Sequence, residues 1–474
     1  MLLDFNSLNN TSIPAAEFCI VGAGPAGITL ALELGRNNRS VVLMEGGGQE
    51  WSEKSQDIYV SDVIGDPLAG DLEFARLRYT GGTSGHWGGK CRPLDAHDFK
   101  KKKSFGDAHW PIEKTDIDPF LDQASSILDI SKVNENVALK SGSGINEIEF
   151  SISSPVVRFG DKYRQELISS KYITLIENAN LTSLGIDEQM ISSATFTNYL
   201  GVSTDAVAEH YILAMGGIEN SRILLWCNEK VNGKLIDERS PLGCYWMVHP
   251  SEYVGDALID TKLLHGKYFS LTSEAQESLS ILNTCFWLEE TGYSGTKKLL
   301  KDIMCVAPKF ARWAASFAEK NIVCGAVIVA VWEQEPLKEN RIRLSETKQD
   351  QFGIPRTELH FRKSARDLVT IREALIKFNE YLIKSNRGRV KLHDWILGNA
   401  SFSDLPLGGN HHIGGTRMAI SVSKGVVDSN CKVFGRENLY IAGSSVFPSG
   451  GHANPTLTIV LLSLRLAKYL LITR

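Results

Sequence analysis

Near the start of the chain, residues Phe18–Gly27 read FCIVGAGPAG, a short apolar run that leads into a glycine-rich turn. Ile28–Leu34 continues with the apolar spacing of a helix, and Val41–Met44 is a second apolar run that ends at Glu45. The acidic residue stands 18 positions (45 − 27) after the last glycine. This order of strand, glycine turn, helix and strand is typical of a dinucleotide-binding βαβ unit.

Each glycine of the turn has its own physical task in such a unit. Gly22 permits the tight turn, Gly24 lets the main chain approach a pyrophosphate, and Gly27 allows the helix to pack closely on the strand. The helix N-terminus favours negative charge, and Glu45 is placed to accept hydrogen bonds from a ribose diol. The pattern alone does not separate FAD from NAD. The predicted contacts are Gly22, Gly24, Pro25, Ala26, Gly27, Glu45 and Gly46.

Two later stretches have the same character. In Tyr211–Leu225 an apolar run passes through Met215-Gly216-Gly217 into a helical pattern. Leu439–Ser445 is a strand and turn, followed by an apolar helix from about Pro455. Three such elements spread along the chain predict one nucleotide-binding domain assembled from discontinuous pieces.

The region from about Ser251 to Asp404 differs. Ile322–Glu333 and Arg341–Leu344 have the alternation of antiparallel strands, while Lys298–Lys320 and Ala365–Lys384 have helical spacing. The predicted fold class is therefore α/β, with a discontinuous Rossmann-type domain and an α+β substrate domain whose sheet is largely antiparallel. The predicted boundaries give three parts of the nucleotide-binding domain (1–110, 156–250 and 405–474), a cap segment (111–155) and the substrate domain (251–404).

Size and charge exclude some classes of protein. The 474 residues fit two domains or one large composite. The formal net charge is −4, so there is no strong basic field that would bind nucleic acid. The one basic run, Lys100–Lys103, is short, and we interpret it as solvated surface.

Cysteine usage and hydropathy predict a cytoplasmic protein. The eight cysteines include no CxxC pair, which is typical of reduced, buried thiols. Met1–Ala16 is polar and does not resemble a signal peptide. Leu457–Ile472 is very apolar, but Arg465 and Lys468 interrupt it, which favours a buried helix over a transmembrane segment.

Several catalytic classes lack their motifs. There is neither HExxH nor a histidine–cysteine spacing that would predict a metal site. There is no GxSxG elbow, and Thr80–Gly85 lacks the lysine of a P-loop. A nicotinamide-dependent disulfide or amine oxidoreductase would need a second nucleotide motif or a redox CxxC, and neither is present.

Four motifs, in this order, resemble the glucose–methanol–choline (GMC) family of FAD-dependent oxidoreductases. They are Gly22–Gly27, Gly81–Gly89 (GGTSGHWGG), His412–Met418 (HIGGTRM) and Asn454–Thr458 (NPTLT). Within the family they are most similar to pyranose oxidase and bacterial sugar dehydrogenases. The residue that usually separates Thr416 from Arg417 is missing, and Ala419 replaces a common glycine, but His412 stays in register.

The resemblance implies FAD as the cofactor and implies where the chain contacts it. The glycine-rich loop would lie beside the isoalloxazine ring, two turns would lie along the adenosine half, and the C-terminal motifs would approach the pyrophosphate, the ribityl chain and the ring. The loop residues beside the ring would be Gly81, Gly82, Thr83, Ser84, His86, Trp87 and Gly88. The residues along the adenosine half would be Leu181, Ala214 and Gly216. The C-terminal residues would be Gly443, Ser444, Asn454, Pro455 and Thr456.

His86 has two interpretations. It stands where pyranose oxidases carry a histidine joined covalently to the flavin. Relatives without a covalent bond also place a histidine in such a loop, where it packs or hydrogen-bonds near the ring. Both interpretations stay open at the level of sequence.

The resemblance also implies a catalytic pair. His412 occupies the position of the family's catalytic histidine, and Asn454, 42 residues downstream, matches a partner that is asparagine or histidine in relatives. Alcohol oxidation sends a hydride to flavin N5 and a hydroxyl proton to a base, a task that neutral imidazole suits. His411 should point elsewhere if the segment is extended, His452 either lines the substrate pocket or is a plain loop residue, and His249 is interpreted as structural.

The substrate is the least constrained part. Trp332, Glu333 and Gln334 combine groups that suit polyol recognition, although a surface position is an equal alternative. We expect a sugar, glycoside or aminocyclitol-like alcohol. The alternatives are a non-sugar alcohol of a biosynthetic pathway, or flavin binding without alcohol oxidation. The electron acceptor (oxygen, a quinone or a carrier protein) stays undetermined.

Overall fold

The fold is taken from a computed structural model, which describes residues 1–7, 13–102, 108–131, 136–139, 142–264, 266–290, 322–398 and 402–473. Within these residues the strands run, in chain order, β1 Leu2–Asp4, β2 Ala16–Val21, β3 Val41–Met44, β4 Ser61–Gly65, β5 Lys90–Cys91, β6 Val137–Ala138, β7 Ile145–Ile148, β8 Ser151–Ile152, β9 Ile173–Glu177, β10 Asn180–Asp187, β11 Met190–Thr197, β12 Ser203–Ala206, β13 Ala208–Leu213, β14 Ser251–Asp260, β15 Tyr268–Leu271, β16 Thr284–Glu290, β17 Ile322–Trp332, β18 Arg341–Gln349, β19 Pro355–Phe361, β20 Gly388–Leu392 and β21 Leu439–Ile441. The α-helices run α1 Pro25–Arg36, α2 Glu53–Gln56, α3 Leu72–Ala75, α4 Ala96–Phe99, α5 Leu121–Leu128, α6 Phe159–Ser169, α7 Glu219–Lys230, α8 Ser273–Leu279, α9 Ala365–Lys384 and α10 Pro455–Ile472.

A six-stranded parallel sheet, ordered β1-β9-β3-β2-β13-β21, forms the first layer. Its central strands are apolar along their length because both faces are covered; Cys19 and Ile20 of β2, for example, are fully buried. The helix α1 returns the chain from β2 to β3 and packs on α10. The parallel arrangement brings the carboxyl ends of strands from distant parts of the chain to one edge.

A seven-stranded antiparallel sheet, ordered β20-β14-β17-β16-β15-β7-β6, forms the second unit. The helix α9 covers it, and the Phe378 ring of α9 packs on Phe269 and Phe286, with ring centroids 5.1 Å and 4.7 Å away. The predicted fold class, a Rossmann-type domain joined to a domain with a largely antiparallel sheet, is confirmed. The predicted helix Lys298–Lys320 lies outside the described residues.

Sheet membership crosses the predicted segment boundaries at several places, and one of them is the pairing of β5 with β8. Strands β6 and β7 of the predicted cap segment belong to the antiparallel sheet, and β4 pairs in parallel with β19. The boundaries themselves remain predictions.

The interpretation of Lys100–Lys103 as solvated surface is wrong for Lys102, whose side chain is buried in an ion pair with Glu333; Lys103 lies outside the described residues. The helix α10 is long and apolar enough, by length and composition alone, to cross a bilayer. In this fold it packs on α1 and α5, and 61% of it is buried.

Candidate active site and cofactor cleft

A cavity of about 380 Å³ opens at the carboxyl ends of four neighbouring parallel strands. Glu45 follows β3, Gly22 follows β2, Ala214 follows β13 and Gly443 follows β21, and all four line the cavity. This edge is where open α/β sheets bind their ligands. The parallel sheet therefore decides where the site lies.

The glycine turn after β2 has the shape that its sequence predicts. Gly22 has φ +106°, and a Cβ placed on it would lie 2.6 Å from the Ala214 carbonyl oxygen. A Cβ on Gly27 would lie 1.9 Å from the Gly22 carbonyl oxygen, so α1 can approach the turn only with glycine there. By contrast, a Cβ on Gly24 would meet no protein atom within 4 Å. Gly24 thus leaves open space where Pro25 and Ala26 begin α1 and line the cavity.

Glu45 is held in place by the main chain. One carboxylate oxygen accepts a hydrogen bond from the Ala23 N–H and the other from the Gly47 N–H, both at 2.8 Å. The residue is 6% exposed and still lines the cavity. A carboxylate oxygen can accept more than one hydrogen bond, so Glu45 keeps acceptor capacity for a diol.

The glycine-rich loop lies directly against this turn. The Gly81 N–H donates to the Ala23 carbonyl at 2.8 Å, and a Cβ on Gly82 would be 3.2 Å from the Gly24 Cα. Arg158 holds the far side of the loop, because its guanidinium donates to the carbonyls of Ser84 and Trp87 at 2.7 and 2.8 Å. The loop is therefore a fixed wall of the cavity. His86 is exposed on this wall and lines the cavity.

His412 is a buried imidazole that faces the cavity. It is 6% exposed, and its Nε2 has no hydrogen-bond partner among the described residues. Its ring stacks on Trp246 at 6.0 Å between centroids and 18° between planes. Burial, together with the charges of Arg76 and His411, lowers the pKa of His412 well below 6.5. The neutral ring therefore offers a nitrogen lone pair at physiological pH.

Asn454 lines the same cavity at the start of α10. It is the N-cap residue, with Pro455 as the first helical residue, but its side chain makes no cap hydrogen bond. Within the described part of the chain the amide has no recorded partner. It is thus available to a molecule in the cavity.

Three other histidines, His411, His249 and His452, were considered in the sequence analysis, and the structure shows where each of them lies. His411 was expected to point away, but it lines the cavity, because His411 and His412 do not lie in a regular strand and their side chains do not alternate. Its Nδ1 lies 3.3 Å from the Nδ1 of His249. Burial lowers the pKa of His411 to about 4. His452 is 1% exposed, lies 3.9 Å from Asp95 and does not line the cavity.

The suggested polyol-recognition residues are not at the cavity. Trp332 and Glu333 are fully buried, and the Gln334 side-chain oxygen accepts a hydrogen bond from the Val248 N–H at 2.9 Å. Trp332 is the last residue of β17, and Glu333 and Gln334 follow it directly. These residues therefore occupy neither of the two predicted positions, the substrate pocket or the protein surface.

Every predicted contact residue except Gly27 and Gly81 lines the cavity. Gly27 supports the glycine turn, and Gly81 supports the glycine-rich loop. The sequence reasoning missed other lining residues, among them Tyr59, Arg76, Arg78, Met215, Glu219 and Asn410. The Arg76-Leu77-Arg78 pattern just before the glycine-rich loop was the available signal. Nothing in its spacing says that it folds over the cavity.

Arg76 and Arg78 add positive charge to the cavity. Arg76 is 7% exposed, lies over the Tyr59 ring at 4.2 Å and donates to the Tyr59 carbonyl. Arg78 donates to Asn180 and to the Tyr199 hydroxyl at 2.8 and 2.9 Å. In the described part of the chain neither pairs with a carboxylate. Buried cations without a counter-charge favour an anionic occupant.

FAD fits these features. The open face of Gly24 at the start of α1 suits a diphosphate. The two guanidinium groups give the cavity positive charge that suits an anionic cofactor. Glu45 suits a ribose, and the unpaired Nε2 of His412 suits a reacting group at the other end. Among the described residues, no group of three or more His, Cys, Asp or Glu side chains could hold a metal ion. The fold and the site together define a two-domain, dinucleotide-binding oxidoreductase.

Comparisons with known proteins agree. A family model described as GMC oxidoreductase matches residues 336–463. The fructose dehydrogenase large subunit of Gluconobacter japonicus is 21% identical over 549 aligned positions, which cover 96% of this chain and 98% of that protein. A C-glycoside 3-oxidase of Microbacterium trichothecenolyticum is 32% identical over 136 residues, 28% of this chain and 24% of that one.

Solved structures share the fold. A pyridoxine 4-oxidase from Mesorbium loti superposes with a TM-score of 0.62 at 14% identity, covering 97% of this chain and all of that one. A variant of the Aspergillus oryzae RIB40 formate oxidase, studied for the modification of its FAD, gives 0.59 at 15% identity, covering 97% and 98%. The chain is similar to GMC oxidoreductases in its C-terminal part and in its overall fold, and its cofactor is FAD. It is an FAD-dependent alcohol oxidase or dehydrogenase.

Proposed function

We propose that the protein oxidises a hydroxyl group of a sugar, glycoside or aminocyclitol-like alcohol, with His412 as the base. The observation that carries the proposal is the buried, unpaired Nε2 of His412 at the cavity wall. Several buried histidine nitrogens lack a hydrogen-bond partner among the described residues, but of these histidines only His412 lines the cavity. An alcohol O–H is the donor that would satisfy it.

The role of each group in the reaction follows from its chemistry. The bound FAD supplies the two-electron acceptor that takes the hydride from the alcohol carbon. His412 Nε2 accepts the hydroxyl proton, and the low pKa keeps it neutral and ready to do so. The Asn454 amide donates a hydrogen bond to the substrate oxygen and orients the C–H bond.

The sugar class rests on the relatives. The fructose dehydrogenase large subunit is similar over nearly the whole chain, and the C-glycoside 3-oxidase is similar over a local stretch. The cavity adds hydrogen-bonding groups suited to several hydroxyls, among them Asn410 and Glu219. A non-sugar alcohol of a biosynthetic pathway is the competing class. A cytoplasmic location is proposed from the cysteine usage alone.

Anaerobic reduction of the bound flavin tests this function. Mixing the holoenzyme with a panel of sugars, glycosides and aminocyclitols should bleach the flavin with at least one of them, and its analogue lacking the reacting hydroxyl should not. Bleaching by non-sugar alcohols alone would contradict the sugar class, and bleaching by the deoxy analogue would contradict alcohol oxidation. Reoxidation by oxygen, a quinone or a carrier protein, followed by stopped flow, would identify the acceptor.

A further inference from the structure

A buried charged cluster lies where the end of β17, helix α4 and the chain before α10 meet. Its members are Lys102, Glu333 and Asp98, which are 7%, 0% and 1% exposed. Lys102 Nζ lies 2.7 Å from a Glu333 carboxylate oxygen and 3.4 Å from one of Asp98. None of the three lines the cavity. The cluster therefore lies outside the lining of the cofactor cavity.

Glu333 connects the antiparallel sheet to the chain that carries Asn454. One of its oxygens accepts from Lys102 and from the Asn283 N–H, the latter at 3.2 Å. The other accepts from the Gly451 N–H at 3.0 Å. Glu333 follows β17 directly, and Gly451 stands three residues before Asn454. One carboxylate thus links the end of a rigid strand to the turn before α10.

The turn is held closely at Gly451 and at Gly450. Gly451 has φ +57°, and a Cβ there would lie 2.6 Å from an Asp98 carboxylate oxygen. A Cβ on Gly450 would lie 2.6 Å from the Nε2 of His249, the histidine that contacts His411. The turn is therefore packed between the charged cluster and the histidine pair beside His412. Such packing leaves little freedom for the residues that follow it.

Burying an ion pair is a poor way to gain stability, because desolvation offsets most of the attraction. Burial acts to lower the pKa of Lys102, while the two carboxylates raise it above its usual value, so Lys102 stays charged. A hydrogen bond to a charged acceptor is short and directional. The arrangement suits geometric control better than stabilisation.

We propose that the Lys102–Glu333 pair is a positioning device that fixes the Gly451–Asn454 turn and thereby sets where the Asn454 amide meets the substrate oxygen. The proposal rests on the proposed role of Asn454. It assigns Glu333 to the reaction through Gly451 and not through contact with the substrate. Errors of about 1 Å in such a position can lower a rate about 100-fold.

The test compares Glu333→Gln with Asp367→Asn in the holoenzyme. Asp367 serves as a control for a buried carboxyl group because it is also fully buried and accepts main-chain hydrogen bonds, from Ser364 and Glu335, yet among the described residues no hydrogen bond or ion pair joins it to residues 450–454. Glu333→Gln should lower the limiting rate of flavin reduction at least 10-fold with little change in substrate affinity. Hydrogen exchange of the peptide containing Gly451 should accelerate. Asp367→Asn should change neither.

A double-mutant cycle with Asn454→Ala decides the mechanism. If Glu333 acts through Asn454, Glu333→Gln should cause no further loss of rate in the Asn454→Ala background. Additive losses, an unchanged rate in Glu333→Gln, or an equal loss in Asp367→Asn would overturn the proposal. Lys102→Arg, which keeps the charge but alters the geometry, should show the same non-additivity with a smaller loss. If Asn454→Ala alone leaves the rate unchanged, the proposed catalytic role fails instead, while the exchange measurement still reports on the Glu333–Gly451 contact.

Discussion

The hydroxyl of Ser444 donates a hydrogen bond to the main-chain carbonyl of His412, with 2.6 Å between the two oxygens. A main-chain hydrogen bond joins the same two segments, because the Gly414 N–H donates to the Ser444 carbonyl at 3.1 Å. Ser444 belongs to the turn after β21, at the edge of the parallel sheet. The segment that carries the imidazole is therefore built onto the same turn that lines the cofactor cavity.

Replacing His412 should abolish most of the reaction without emptying the cavity. We expect His412→Ala and His412→Gln to lower the rate of flavin reduction about 10²–10⁴-fold, because neither side chain accepts the proton. Both variants should retain FAD, as the absorption spectrum would show. His360→Ala serves as the control, because His360 does not line the cavity. A near-normal rate in His412→Gln would show that the imidazole is not the base.

The pH dependence of flavin reduction should reflect the lowered pKa of His412. Since the folded-state pKa lies well below 6.5, the ring stays neutral between pH 8 and pH 6.5, and the rate should be flat there and fall only at lower pH. Arg76 contributes to the lowering, so Arg76→Gln should move the fall towards neutral pH. An inflection at the ordinary histidine value in the wild type would contradict this prediction.

Acid should destabilise the fold partly through His411. Its pKa is about 4 in the folded chain and 6.5 in the unfolded chain. Between these values the unfolded state binds a proton that the folded state does not, so this contribution is complete above pH 6.5 and is lost as the pH falls to 4. The loss is at most about 3 kcal/mol in the free energy of unfolding. Urea unfolding at pH 7 and pH 4.5 should show a smaller difference for His411→Gln than for the wild type. The half-buried His393→Gln should show no such reduction.

Two alanine substitutions in the same turn should have opposite consequences. Gly27→Ala places a methyl group 1.9 Å from the Gly22 carbonyl oxygen and should lower the thermal midpoint of the protein. The methyl group of Gly24→Ala would meet no protein atom within 4 Å. This substitution should therefore leave the apoprotein as stable as the wild type but weaken FAD binding. Thermal melts of apoprotein and titration with FAD measure the two effects. Equal FAD affinity in Gly24→Ala would place the diphosphate elsewhere.

The attachment of the flavin is tested by acid precipitation. We expect the yellow colour to remain in the supernatant, because His86 is only one wall residue of a cavity that holds FAD by many contacts. Colour in the pellet would demonstrate a covalent bond instead. The His86→Ala variant then identifies the residue, since it should release the colour if His86 carries the bond.

Much of the fold was predictable because its signals are local. The apolar run of β2, the three glycines and the helical spacing of α1 describe a unit whose parts are adjacent in the chain, and local backbone sterics decide its shape. The same holds for α9, whose predicted bounds agree with the structure. The separation of two sheets was visible because parallel and antiparallel strands have different patterns of apolar residues.

The candidate site was predictable only where a motif carried it. His412 and Asn454 were selected by resemblance, and the structure places both at one cavity. His411 was assigned the wrong direction because the alternation of side chains applies to strands, and this segment is not one. Trp332, Glu333 and Gln334 were assigned to the wrong environment because the fate of a strand end depends on what packs against it.

The sequence by itself determined the βαβ unit with its glycine-rich turn, the order of the motifs along the chain and the chemistry that they can support. Each of these depends on residues close together in the chain. Only the tertiary structure decided which side chains share a cavity and which are buried away from it. The ion pair of Lys102 with Glu333 joins residues 231 positions apart. Contacts of that span depend on how the two sheets pack, and no local rule of backbone or side-chain geometry specifies them.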